Sequence, residues 1–209
     1  MSAPVIAVTG GVGCGKSETG RILAEMGVSV IDADSVAHRL MRDDPLVRAK
    51  LISLFGPAVV LADGSIDRCA IAGRVFANAR DREALEHAIH PRVREEIVAW
   101  RDSVRRESGG GAALIPLLFE VGFDEGWDEI WCVVARDSIA DARLAARGWA
   151  PERIQAVRKA QWPIDRKAAC ANVVLENNGT LEDLKALVEQ HWRRLERRSI
   201  EYAGRTKTI

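Results

Sequence analysis

The sequence predicts an α/β fold: a three-layer core on a five-stranded parallel sheet, with a helical insertion and a helical lid. Three observations predict it. The first is Gly10-Gly11-Val12-Gly13-Cys14-Gly15-Lys16-Ser17, which fits the phosphate-loop pattern G-x-x-x-x-G-K-[ST] and directly follows the short apolar run Pro4 to Thr9. The second is an alternation of five strand-like runs with helical stretches, an order that makes the strands parallel, the crossovers right-handed and both faces helix-covered. The third is that polar residues cluster just past the ends of those runs, at the rim where such sheets bind ligands.

Each element has its own signal. After the glycine loop, Ser17 to Met26 has helical periodicity with Ile22, Leu23 and Met26 inward, and Gly27 stands where a left-handed residue would end it. Val28 to Ile31 is the second strand and runs into Asp32-Ala33-Asp34. From Ser35 to Phe55 the pattern gives two helices broken near Asp43-Asp44-Pro45, since proline suits a first turn but not an interior. Asp67 to Asn78 gives another helix, and Asp81 to Ile89 and Arg92 to Arg106 two more, divided at His90-Pro91. A Ser108-Gly109-Gly110-Gly111 linker precedes Ala113 to Phe119, an apolar run whose Pro116 cannot donate to a ladder and belongs where the strand ends. Glu129 to Ala135 is continuous and apolar, as strands covered on both faces are.

Asp137 to Arg147, Pro151 to Gln161 and a short segment ending at Cys170 follow as helices, then a last strand at Asn172 to Leu175. Thr180, with Asp183 three residues on, opens a long amphipathic helix to about Arg198, with Leu181, Leu184, Leu187, Val188, His191, Trp192 and Leu195 inward and a loose tail from Ala203. The expected organisation is therefore a core at 1–34, an insertion at 35–107, more core at 108–136, a lid at 137–170 and a closing strand and helix at 171–209.

Composition narrows the function. Lys+Arg and Asp+Glu number 30 each in 209 residues, so the strongly basic footprint of a nucleic-acid binder is missing and a metabolite is the expected partner. Cys14, Cys69, Cys132 and Cys170 have no C-x-x-C spacing, which argues against a zinc site or a disulfide framework and suits a reducing compartment. With no leader-like N-terminal pattern and no apolar run near 18 residues, the expectation is a cytoplasmic protein that does not span a membrane.

At the rim, the amides of Gly11, Val12, Gly13, Cys14, Gly15, Lys16, Ser17 and Glu18 would face the α- and β-phosphates of a nucleotide, at the positive end of the following helix. Lys16 would reach the β/γ-phosphate oxygens and the Ser17 hydroxyl would ligate magnesium (Mg2+). A ligand-free turn is the plain alternative, but packing alone does not require lysine and serine at those offsets. Asp32 and Asp34 each fit two roles, a helix N-cap or a carboxylate that accepts a proton from an acceptor hydroxyl. Arg143 and Arg147, one turn apart, are either a solvated face or a pair that closes over a nucleotide. His90 beside Pro91 either touches substrate or caps a helix end, and the arginines of the insertion, Arg68, Arg74, Arg80, Arg82, Arg92 and Arg94, either meet an anion or lie in solvent.

Taken in order, Thr9 to Ser17, Asp32-Ala33-Asp34, His90-Pro91, Pro116-Leu117-Leu118-Phe119-Glu120, Arg147, Gln161-Trp162-Pro163 and Glu176-Asn177-Asn178-Gly179 resemble the dephospho-CoA kinase family from residue 5 to about 190. The resemblance implies a P-loop NTPase core, a helical CoA-binding insertion and a lid, with ATP and Mg2+ used to phosphorylate the ribose 3′-hydroxyl of dephospho-CoA. It implies Asp34, Lys16 and Arg147 as catalytic residues, with Arg143 and Asn178 added to the glycine-loop residues on ATP. It further implies Thr9, Asp34, His90, Leu117 and Glu120 on the acceptor. Cys14, Glu18 and Asn172 depart from the family pattern, which has serine, threonine and aspartate there. A nucleotide switch is the competing class, but a GTPase would carry N-K-x-D and this chain has none. Among enzymes, a kinase of nucleoside monophosphates or shikimate is the alternative.

Overall fold

The computed structural model describes residues 3–107 and 109–205. Its five strands, β1 (Val5–Gly10), β2 (Ser29–Asp32), β3 (Gly111–Leu114), β4 (Glu129–Val134) and β5 (Val173–Glu176), form one sheet in the order β2-β3-β1-β4-β5. Every pairing is parallel, with Val5 opposite Gly111, Ile6 opposite Glu129 and Trp131 opposite Val173. β1 sits in the middle and is buried at every residue, whereas β5 lies at an edge and alternates buried and exposed.

The helices are α1 (Lys16–Glu25), α2 (Ala33–Asp43), α3 (Pro45–Phe55), α4 (Arg68–Ala77), α5 (Ala79–Val104), α6 (Asp137–Ala146), α7 (Pro151–Lys159), α8 (Ile164–Cys170) and α9 (Leu181–Arg205). Ile22 and Leu23 of α1 and Leu184, Val188, Trp192 and Leu195 of α9 bury one sheet face through Ile6, Val8, Trp131 and Val133. Trp131 and Trp192 meet edge to face at 6.4 Å, a geometry worth about 0.5–1.5 kcal/mol beyond burial. α8 lies against β1 and β4 on the other face, the side to which Cys132 points, one residue along from Trp131. Burial pushes the Cys132 thiol up to about 11, and Cys14 is buried too, whereas Cys69 and Cys170 are exposed.

By its internal packing the chain divides into two compact units: Ala33–Ala99, and the residues up to Asp32 together with those from Trp100. In the smaller unit Asp44 caps α3, accepting from the amides of Leu46 at 2.8 Å and Val47 at 3.0 Å and from Arg92 at 3.0 Å. Those partners, the Val47 amide first, hold its carboxyl below the usual range. Arg92 and Arg74 are thus engaged within the unit, Arg74 donating to the Phe55 carbonyl at 2.8 Å.

Four sequence expectations need correction. Residues 79–104 form one helix through His90-Pro91, because Ile89, Val93 and Ile97 make a single buried stripe whose burial outweighs the missing proline donor. The third strand stops at Leu114, two residues before Pro116, so the proline lies outside the ladder. Leu181 is exposed, since the Thr180–Asp183 capping box turns the first helical turn to solvent: the Thr180 amide donates to Asp183 at 2.8 Å and the Asp183 amide to Thr180 Oγ1 at 3.2 Å. α9 continues to Arg205, so the expected tail is helical that far, while Ser108 and residues 206–209 lie outside the described residues.

Two glycines give opposite expectations for stability. Gly110 has φ 72° and an added Cβ would lie 2.7 Å from the Trp192 ring, so Gly110→Ala should destabilise by about 1–3 kcal/mol. Exposed Gly73 in α4 has nothing within 4 Å of such a Cβ, so Gly73→Ala should stabilise by about 0.4–1 kcal/mol. Thermal melting of both variants, at about 2–4 °C per kcal/mol, checks the pair.

Candidate active site

The site is built where β1 ends. Gly10 closes the strand, and Gly15, at φ 110° and ψ 17°, turns the chain into α1, whose first residue is Lys16. A side chain at Gly15 would meet Asn177 Nδ2 at 2.2 Å, so this position needs glycine for its conformation and for the close approach. Asn177 is buried at the end of β5 and donates from Nδ2 to the Cys14 carbonyl at 2.9 Å, while its own amide donates to the Val134 carbonyl at 2.8 Å. The loop is thereby braced from outside by the neighbouring rim turn. Lys16 Nζ donates to the carbonyls of Gly10 at 3.0 Å and Gly11 at 3.1 Å, which holds the ammonium against the start of the loop. The Ser17 hydroxyl lies at the exposed start of α1, and Glu18 pairs with Arg21 on that helix's outer face.

The other rim turns converge on the same loop. Arg143 of α6 donates to the Asn177 carbonyl at 3.1 Å and to its Oδ1 at 3.2 Å, and Asn178 Oδ1 accepts from the Arg136 amide at 2.8 Å. Arg147 is exposed at the C-cap of α6. From the β3 side, buried Thr9 donates to the Pro116 carbonyl at 3.2 Å, and Leu117 is half-buried in the turn that follows. Glu120 Oε1 accepts from the Trp162 amide at 2.7 Å and pairs with Lys167 Nζ at 2.7 Å; Lys167 also donates to the Pro116 carbonyl at 2.6 Å. Lys167 is wholly buried, and the second Glu120 oxygen is buried with no hydrogen-bond partner among the described residues. Between the glycine loop and α6–α8 lies a cavity of about 510 Å³, lined by Gly11, Val12, Ala140, Arg158 and Gln161 among others.

Of the residues singled out in the sequence, Thr9, the eight loop residues, Leu117, Glu120, Arg143, Arg147 and Asn178 belong to the larger unit. Asp34 and His90 belong to the smaller unit. Asp34 is the second residue of α2, which starts at Ala33 and not near Ser35, so it sits inside the first turn, where the helix dipole favours a carboxylate. His90 is half-buried in α5, and burial lowers its pKa against the raising influence of Glu86. Asn172 keeps its local contact in spite of lacking an acid: its Oδ1 accepts from the Ile130 amide at 2.7 Å.

Three residues gained no role from sequence reasoning: Lys167, Asn177 and Gln161. The last two stood inside recognisable turns, Asn-Asn-Gly and Gln-Trp-Pro, whereas a lysine beside Asp165 and Arg166 on a short helix carries no sign that it will be buried. Among the described residues no group of three His, Cys, Asp or Glu is arranged to hold a metal. A hydroxyl such as Ser17 beside a phosphate cradle nevertheless fits magnesium, which keeps waters and takes most of its ligands from substrate phosphates.

Removing one half of the Lys167–Glu120 pair should cost more than removing both. Lys167→Met leaves a carboxylate buried without its ammonium and should destabilise by about 3–5 kcal/mol, while Lys167→Met/Glu120→Gln should recover a large part of that loss. Urea unfolding of the two single variants and the double closes the cycle.

A family model described as dephospho-CoA kinase matches residues 4–183. A dephospho-CoA kinase of Symbiobacterium thermophilum is 41% identical over 191 residues, covering 90% of this chain and 80% of that protein. One of Chlorobaculum tepidum is 40% identical over 199 residues, covering 91% and 94%. Among solved structures, a Thermus thermophilus protein superposes with a TM-score of 0.78 at 33% identity over 93% of this chain and 99% of its own. A shikimate kinase of Acinetobacter baumannii, at 14% identity and a TM-score of 0.57 over 92% of this chain and 93% of its own, shares the fold alone. The match over most of the chain, together with the braced glycine loop and its lysine, places this chain in the dephospho-CoA kinase family.

Proposed function

We propose that this chain carries out its family's reaction, ATP-dependent phosphorylation of dephospho-CoA in the final step of coenzyme A biosynthesis, with the residue roles that follow. The single observation that carries the reading is the glycine loop, braced by Asn177 and with Lys16 folded back onto its Gly10 and Gly11 carbonyls. The loop amides bind the β-phosphate and Lys16 moves from the Gly10 and Gly11 carbonyls to the β/γ oxygens, where its charge follows the phosphoryl group into transfer. Asp34 takes the proton from the ribose 3′-hydroxyl as that oxygen bonds to the γ-phosphorus. The bond to the bridging oxygen breaks, and ADP leaves with the electron pair. Ser17 would hold Mg2+, which supplies charge neutralisation to the phosphates when bound.

Arg143 and Asn178 border the nucleotide's adenosine end, and Arg147 approaches after closure of the 137–170 segment, when water has been excluded. Thr9, Leu117, Glu120 and His90 are assigned to the acceptor. The substrates are small molecules, no role for nucleic acid enters the reaction, and the cytoplasm is the compartment this chemistry expects. Among the described residues no helix is long and apolar enough to cross a membrane.

ADP release measured against dephospho-CoA, nucleoside monophosphates and shikimate tests the assignment: turnover with dephospho-CoA alone is expected, and turnover with another acceptor instead overturns it. Lys16→Ala should abolish transfer, since charge-stabilising groups of this kind are worth ~10³-fold or more; activity within a few fold of wild type would remove the loop from the mechanism. Asp34→Asn should keep the fold and ATP affinity but lose at least about a hundredfold in kcat, because asparagine suits a first helical turn yet cannot take a proton. Arg147→Ala should lower kcat more than nucleotide affinity, whereas a proportional fall in both would make it a ground-state binder.

A further inference from the structure

Gln161 stands in the turn between α7 and α8 and touches the phosphate loop directly: the Val12 amide donates to its Oε1 at 3.2 Å. The direction of that bond is fixed by chemistry, since a backbone amide can only donate and the atom facing it must be the glutamine oxygen. The residue is held there by its neighbour. The Trp162 amide donates to Glu120 at 2.7 Å, the Trp162 ring stacks on Phe119 at 6.1 Å and 13°, and the Arg166 guanidinium lies 3.3 Å from the same ring's centre. Buried Lys167, 2.7 Å from Glu120, completes the anchor. Gln161 therefore reaches the loop from a fixed root, along the wall of the cavity of about 510 Å³ that Gly11 and Val12 also line.

We propose that Gln161 is a nucleotide-phosphate-binding residue of this site, whose side-chain amide exchanges one hydrogen bond for another as phosphate enters. The inference rests on the ATP-dependent kinase reading above. A phosphate oxygen seeking the Val12 amide competes with Gln161 Oε1 for a single donor, and the charged acceptor wins because charge-assisted hydrogen bonds are about twice as strong as neutral ones. Oxygen cannot face oxygen, so the displaced side chain turns about its last bond and presents its NH2 to the phosphate. The group that covered the loop amide then becomes a donor to the transferring phosphoryl group, with no change in the anchored backbone. The terminal amide of glutamine carries an acceptor and two donors on one rotating group.

Calorimetric titration of the full chain, as wild type, Gln161→Glu and Gln161→Ala, with MgATP and with adenosine, tests this, with turnover on dephospho-CoA measured alongside. Glutamate keeps the shape and still accepts from Val12 but can only repel phosphate, so Gln161→Glu should weaken MgATP by about tenfold or more and leave adenosine unchanged. Alanine removes competitor and donor together, so Gln161→Ala should hold MgATP within about threefold of wild type while kcat falls at least about tenfold. Wild-type MgATP affinity in Gln161→Glu, an equal loss for adenosine, or wild-type turnover in Gln161→Ala would each overturn the assignment. A wild-type chain that binds no MgATP at all would instead sink the kinase reading beneath it, so the two failures are distinguishable.

Discussion

The rim depends on one hydrogen bond, from Asn177 Nδ2 to the Cys14 carbonyl. A loop that cups phosphate must keep its amides turned inward, and that arrangement leaves its carbonyls turned outward and in need of donors. Asn177 supplies one where Gly15 passes too close to admit any side chain. The same asparagine is fixed by β5 pairing and by two bonds from Arg143, so sheet edge, α6 and glycine loop share one buried amide. Order at the loop is thus inherited from the sheet, whose parallel register sets the ends of β1, β4 and β5 side by side.

Much of this was legible in the sequence. Lysine and serine at fixed offsets after an apolar run gave the loop, and five runs alternating with helices gave the sheet, because both signals are local and periodic. The missing donor of Pro116 pointed to a strand end, although the strand stops two residues earlier, at Leu114. Where local reasoning failed, burial had decided: at His90-Pro91 the rule for proline lost to a continuous apolar stripe, and at Lys167 a charged side chain vanished into the core because Glu120, far away in sequence, was there to receive it. Long-range pairing of this sort leaves no trace in spacing.

Asp34 shows the limit from the other side. Propensity left it balanced between a cap and a base; with α2 starting at Ala33, it lies within the first turn, two places further in than a cap would stand. A carboxylate in that place is favoured by the positive end of the helix, a position effect that sequence spacing alone did not reveal.

The distribution of the four cysteines has a practical consequence. Cys14 and Cys132 are buried, and the Cys132 thiol is held far from its reactive form, whereas Cys69 on α4 and Cys170 on α8 are exposed. One of the exposed pair lies in each compact unit. The native chain therefore carries one accessible thiol in each unit for attaching a reporter without a single mutation, while the buried pair stays out of a reagent's reach.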